Sequence, residues 1–133
     1  MFVQWKTNLI NDLQAFFLDF CNDFSQFDGE LIARRYATPY LAVSAEGELQ
    51  SFASPEETAG WFQQHLDSYR ARGCARCSFT SLEAVALGQH KVLATVTWHL
   101  RDADGSLVNT WRVSYNLLCR DGRWLIYTST DHS

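Results

Sequence analysis

The chain has 133 residues, is 47% hydrophobic and 14% aromatic, with five tryptophans, and carries a net charge of −4. A chain of this length buries roughly two-thirds of its unfolded surface, so it reads as one domain, residues 1–133, with a core of its own. No basic cluster is present, which argues against a nucleic-acid partner, and no uninterrupted apolar run suits a leader or a membrane span, so the expected location is the cytoplasm.

The first predicted helix runs from about Asn8 to Phe24. Leu9, Leu13, Phe16, Phe17, Phe20 and Phe24 recur at helical spacing and form a Phe-rich stripe that has to pack against something. Asp28 is placed to cap a second, short helix reaching about Tyr36, and Thr38-Pro39 ends it. Tyr40 to Ser44 and Leu49 to Phe52 read as a short hairpin around Glu46-Gly47. Ser54-Pro55-Glu56-Glu57 is a helix start with Pro at the first position and acids in the first turn. The third helix extends to about Arg72, with Thr58, Phe62, Leu66 and Tyr69 as its buried stripe. His65 falls on the flank of that stripe and Trp61 further round.

Cys77 to Leu87 reads as a long strand, and three more β-rich runs follow from Val92 to His132, separated by Asp104-Gly105 and Asp121-Gly122. The two Asp-Gly pairs predict an antiparallel meander. Counting outward from them pairs Trp98 with Trp111, Val96 with Val113, Leu117 with Ile126 and Trp111 with His132. Opposed residues share a face. One face is therefore apolar, carrying Val96, Trp98, Leu100, Trp111, Val113, Tyr115 and Leu117, with His132 at its end. The other is polar, with His99, Arg112 opposing Asp131, Ser114 and Asn116. Glu83 on the preceding strand points inward if Val85 shares the face of Val92, and outward if a bulge intervenes. A carboxylate placed inside would be desolvated and suited to proton transfer.

Four cysteines include a Cys74-x-x-Cys77 spacing. A structural zinc site needs a second such pair, which the chain lacks, and residues three apart on a strand point to opposite faces. The expectation is reduced structural thiols and no metal. No phosphate-cradling glycine-rich loop is present and no cofactor is expected.

The order of elements gives an α+β fold with helices on one face of a curved antiparallel sheet. Four features together resemble the nuclear transport factor 2-like superfamily, which includes ketosteroid isomerase and the SnoaL-like polyketide cyclases. They are the Phe-rich first helix, the Tyr36-Ala-Thr-Pro end of the second, the Ser54-Pro-Glu-Glu start and the closing Tyr115-Asn-Leu-Leu-Cys-Arg-Asp-Gly-Arg-Trp-Leu-Ile hairpin. The resemblance implies a cone-shaped fold, with three N-terminal helices packed in the concave face of a strongly curved sheet. It also implies an apolar pocket at the open end and a homodimer through the outer sheet faces. It does not by itself imply an activity.

The expected pocket wall is Tyr36, Tyr40, Trp61, His65, Trp98, Trp111 and Tyr115, suited to a small apolar or aromatic molecule. A catalytic version would use His65, Glu83 or His132 to move a proton next to a carbonyl. The alternative is a non-enzymatic association module whose cone is filled by these rings.

Overall fold

The structure, a computed structural model, describes residues 2–133, with side chains described from Asn8 onward. Helix α1 spans Phe2–Phe24, α2 Gly29–Ala33 and α3 Pro55–Ala71. The strands are β1 Tyr36–Val43, β2 Leu49–Phe52, β3 Cys74–Ala86, β4 Lys91–Asp102, β5 Leu107–Arg120 and β6 Arg123–Asp131. They form one six-stranded sheet in the order β2-β1-β6-β5-β4-β3. All neighbours are antiparallel except β1 and β6, and the sheet is curled but not closed. This is the α+β cone that the sequence leads one to expect.

Leu13, Phe16, Phe17, Phe20, Cys21 and Phe24 are all buried on α1, and the helix lies against β3. Their spacing of three and four residues puts them on a single face. On β4 every second residue from Val92 to Leu100 is buried, so one side of the strand meets the helices and the other stays half-exposed. Helix α3 starts as its sequence demands. The Ser54 hydroxyl accepts from the Glu57 N–H at 3.1 Å, and the Glu57 carboxylate reaches back to the Ala53 N–H at 2.8 Å. The crossing of α2 and α3 needs Gly29, because a Cβ there would lie 2.4 Å from the Ala59 carbonyl oxygen. Gln63 locks the same crossing, accepting from the Gly29 N–H and donating to the Phe27 carbonyl.

Three local expectations are corrected. Helix α2 is capped by Asp28, whose side chain accepts from the Glu30 N–H, but it ends at Ala33, and Tyr36 already belongs to β1. The run before Pro39 disfavours helix, and the Ile126 N–H captures the Arg35 carbonyl, starting the sheet early. Strand β3 begins at Cys74, and its register slips between Cys74 and Arg76. The extra residue undoes strict alternation, so Cys74 and Cys77 both lie against the core rather than on opposite faces.

The sheet bends at further slips of register. β3 gains a residue between Thr80 and Glu83, where Ser81 has a positive φ of 56°. β5 slips next to Leu100 of its partner, and β6 slips between the pairs Leu117–Ile126 and Asn116–Thr128. Each extra residue kinks and twists its strand, which is how an open sheet acquires curvature.

Phe17 is 0% exposed and sits at the centre of the packing, whereas Val85 is 58% exposed near the end of β3. Phe17→Ala should lower the stability by about 3–5 kcal/mol in urea unfolding, while Val85→Ala should stay within about 0.5 kcal/mol of the unsubstituted chain. Equal midpoints for the two variants would show that α1 is not the keystone of the fold.

Candidate functional site

The cone is not filled. A cavity of about 180 Å³ lies between the inner sheet face and the helices. Tyr36, Tyr40, Trp61, His65, Trp98, Trp111 and Tyr115 all border it, as do Phe20, Phe62 and Tyr69. The rings brace one another. Tyr36 packs on Tyr40 with centroids 4.5 Å apart and on Phe62 at 4.8 Å, and Tyr69 stacks on Trp111 at 6.1 Å. Such contacts favour offset and edge-on rings over collapse, so the wall keeps its shape around an open space.

A few polar groups interrupt the wall. The Trp98 indole N–H donates to the Tyr115 hydroxyl at 2.8 Å. That bond occupies the phenol oxygen as acceptor and leaves its O–H free to donate. The Tyr40 and Ser129 hydroxyls are 2.6 Å apart. Burial pushes the Tyr36 and Tyr115 hydroxyls well above the ordinary phenol range and Tyr40 up to about 12. These tyrosines therefore stay protonated, as neutral donors, across the physiological range. His65 stands at the exposed rim, its ring 4.3 Å from that of Trp61. Its Nδ1 lies 2.8 Å from the Trp61 carbonyl oxygen. A carbonyl only accepts, so in neutral His65 the proton sits on Nδ1 and Nε2 carries the free lone pair.

The extra residue in β6 decides what else reaches the cavity. From Arg120–Arg123 to Leu117–Ile126 the pairing follows the count from Asp121-Gly122. Tyr127 is then unmatched, and beyond it Asn116 faces Thr128, Tyr115 faces Ser129 and Val113 faces Asp131. A one-residue slip moves every later side chain to the other face. Asp131 and Ser129 consequently border the cavity, while His132 lies outside and its Nε2 is 2.7 Å from the Ser114 hydroxyl. This reverses the expected placement of both residues. It also dissolves the expected pairing of Arg112 with Asp131. Arg112 instead meets Glu83 at 3.4 Å.

Glu83 is turned outward by the extra residue in β3. It pairs with Thr95 on the polar face, and its side chain is 77% exposed. Neither Glu83 nor His132 borders the cavity. Of the three candidates for proton transfer, His65 alone does, joined there by Asp131. Burial raises the Asp131 carboxyl above its ordinary value, and the negative charge of Glu46 adds to this, while His65 and His132 oppose it. Among the described residues, no cluster of three or more His, Cys, Asp or Glu is placed to hold a metal ion.

A family model described as NTF2-like protein (DUF6841) matches residues 11–133. The chain belongs to this NTF2-like family. Solved structures similar to this NTF2-like protein share its fold at low identity. Aln2 from a Streptomyces species is 15% identical with a TM-score of 0.76, covering 94% of this chain and 90% of its own. An NTF-2 like protein of unknown function from Shewanella oneidensis is 15% identical with a TM-score of 0.74, covering 93% and 98%. An NTF2-like protein with a cystatin-like fold from Novosphingobium aromaticivorans is 10% identical with a TM-score of 0.73, covering 98% and 86%. No curated protein sequence matches the chain. No described helix of this NTF2-like protein is long and apolar enough to cross a membrane.

The raised Asp131 carboxyl carries a pH signature. A carboxyl whose folded-state pKa exceeds its unfolded value contributes stability at acid pH and loses it as pH rises through the folded value. Asp131→Asn should therefore gain thermal stability relative to the parent as pH is raised from about 4 to 7. A relative gain that instead shrinks over that range would show that folding favours the ionised carboxylate.

Proposed function

We propose that this NTF2-like protein binds a small, mostly apolar molecule of about one ring bearing a hydrogen-bond acceptor, and moves a proton next to that acceptor. The observation that carries the reading is the open aromatic cavity with the Tyr115 hydroxyl held from behind by the Trp98 N–H. A dry cavity of about 150 Å³ accommodates benzene, so about 180 Å³ suits a single substituted ring. Among the described residues no Lys or Arg lines the space, which disfavours anionic ligands. A carbonyl is the fitting acceptor, since buried, uncharged phenols stabilise a developing oxyanion by donation without being ionised themselves. His65 Nε2 and the Asp131 carboxylate are the groups at the cavity that can take up and return a proton. The filled association module is disfavoured by the empty space among the rings.

The expected homodimer forms through the outer sheet face. Supporting this, the face is polar but internally bonded: His99 bridges Thr80 and Thr110, and Ser114 bridges Thr95 and His132. A face whose polar groups are already satisfied can be covered at low desolvation cost. The four thiols are all unbridged, which supports a reducing, cytoplasmic setting.

Three measurements check these readings. In a titration of single-ring ketones and their carbonyl-free counterparts, Tyr115→Phe should weaken the ketones about 5–10-fold and leave the counterparts unchanged. Exchange of the ketone α-hydrogens in heavy water should drop at least about tenfold in His65→Ala or Asp131→Asn. Absence of binding by every ketone would refute the ligand class, and binding without exchange would refute the catalysis alone. For the dimer, sedimentation should give twice the chain mass, and Thr128→Arg on the outer face should halve it. A monomeric parent protein would exclude this interface.

A further inference from the structure

Cys21 on α1 and Cys77 on β3 are 56 residues apart in sequence, and their sulfurs lie 3.1 Å from each other. Non-bonded carbon atoms rest at about 3.5–4.0 Å, so these larger atoms are in direct hydrogen-bonded contact. Both thiols are free. Among the described residues, no third His, Cys, Asp or Glu joins them, so the pair lacks the ligand set of a metal site. Cys74, the other half of the CxxC spacing, is engaged elsewhere: its sulfur is 3.8 Å from the Arg76 carbonyl.

We propose that Cys21 and Cys77 form a peroxide-sensitive thiol pair that closes to a disulfide between α1 and β3. Three properties of the pair support this. The S–H of Cys77 donates to the Cys21 sulfur, which lowers the pKa of Cys21 against the opposing effect of burial. The same bond, with burial, holds the Cys77 proton in place. Of the two sulfurs Cys21 is thus the more readily ionised, and the thiolate is the reactive form. Second, Cys77 borders the cavity, which is several times the volume of a water molecule, so hydrogen peroxide fits on the Cys77 side of the pair, with the Cys21 sulfur 3.1 Å behind it. Third, Cys21 is only 8% exposed, which keeps larger disulfides such as oxidised glutathione away and selects the small oxidant.

The reaction balances without a further reagent. The Cys21 thiolate attacks one peroxide oxygen, the O–O bond breaks, and hydroxide leaves and is protonated to water. Cys21 is now a sulfenic acid. The Cys77 sulfur attacks the Cys21 sulfur, the S–O bond breaks, and the oxygen leaves as water with the Cys77 proton. Two thiols and one peroxide give one disulfide and two waters, with two electrons passing from sulfur to peroxide.

The test is oxidation of the full chain by hydrogen peroxide, followed by alkylation, intact mass and peptide mapping under non-reducing conditions. Two of the four thiols should escape alkylation, with a peptide containing Cys21 joined to one containing Cys77, and reduction should reverse it. The Cys74→Ala, Cys119→Ala double variant should form the same link. In Cys77→Ser, the Cys21 sulfenic acid should persist and be trapped by dimedone. Four alkylatable thiols after peroxide, over-oxidation without a link, or a link made to Cys74 or Cys119 would each overturn the proposal.

Discussion

The Phe-rich face of α1 is the wedge on which the sheet is bent. Phe17 alone meets Phe16, Phe79, Trp98 and Tyr115, with ring centroids between 5.2 and 5.9 Å. These contacts join a helix to three strands that are distant in sequence. Because the rings are stiff and already paired, the wedge fills one end of the cone and stops. Phe20 and Phe24, further along the same stripe, form the wall of the remaining space rather than its filling. One helical periodicity therefore supplies both the core and the cavity.

Much of this was legible in the chain. The stripe on α1, the cap at Ser54 and the two Asp-Gly turns mark α1, α3, the closing strands and the pairing of Trp98 with Trp111. Counting from the Asp104-Gly105 turn puts Trp98, Trp111 and Tyr115 on the inner face, because alternation is dependable while hydrophobic residues mark it. Legibility fails after Ile126. Tyr127-Thr-Ser-Thr offers no apolar alternation by which an extra residue could be noticed, so counting from the turn carried Asp131 to the wrong face. Glu83 is obscured likewise, because Ser81 adopts a left-handed backbone that serine does not advertise as glycine would.

Polarity within the cavity is graded by depth. The buried positions hold phenols and an indole, which satisfy one another or donate while uncharged. The groups that can carry charge, His65 and Asp131, sit at the exposed rim. An ionised carboxylate at the position of Tyr115 would lose its hydration with no cation to replace it, whereas at the rim water screens part of that cost. Uncharged hydrogen-bond donors thus lie deep inside and chargeable groups near solvent, an order that follows from solvation.

The extra residue in β6 gives the strand end two roles at once. Asp131 turns into the cavity, and its neighbour His132 turns out to bond Ser114 on the polar face. Adjacent strand residues point oppositely, so neither placement can change without the other. The His132 backbone N–H is also bonded to the Arg112 carbonyl, anchoring the last turn of the ladder. His132 lowers the Asp131 pKa across that short separation. The one extra residue in β6 thereby sets the face of both side chains, bringing an acid to the cavity and a histidine to the polar face.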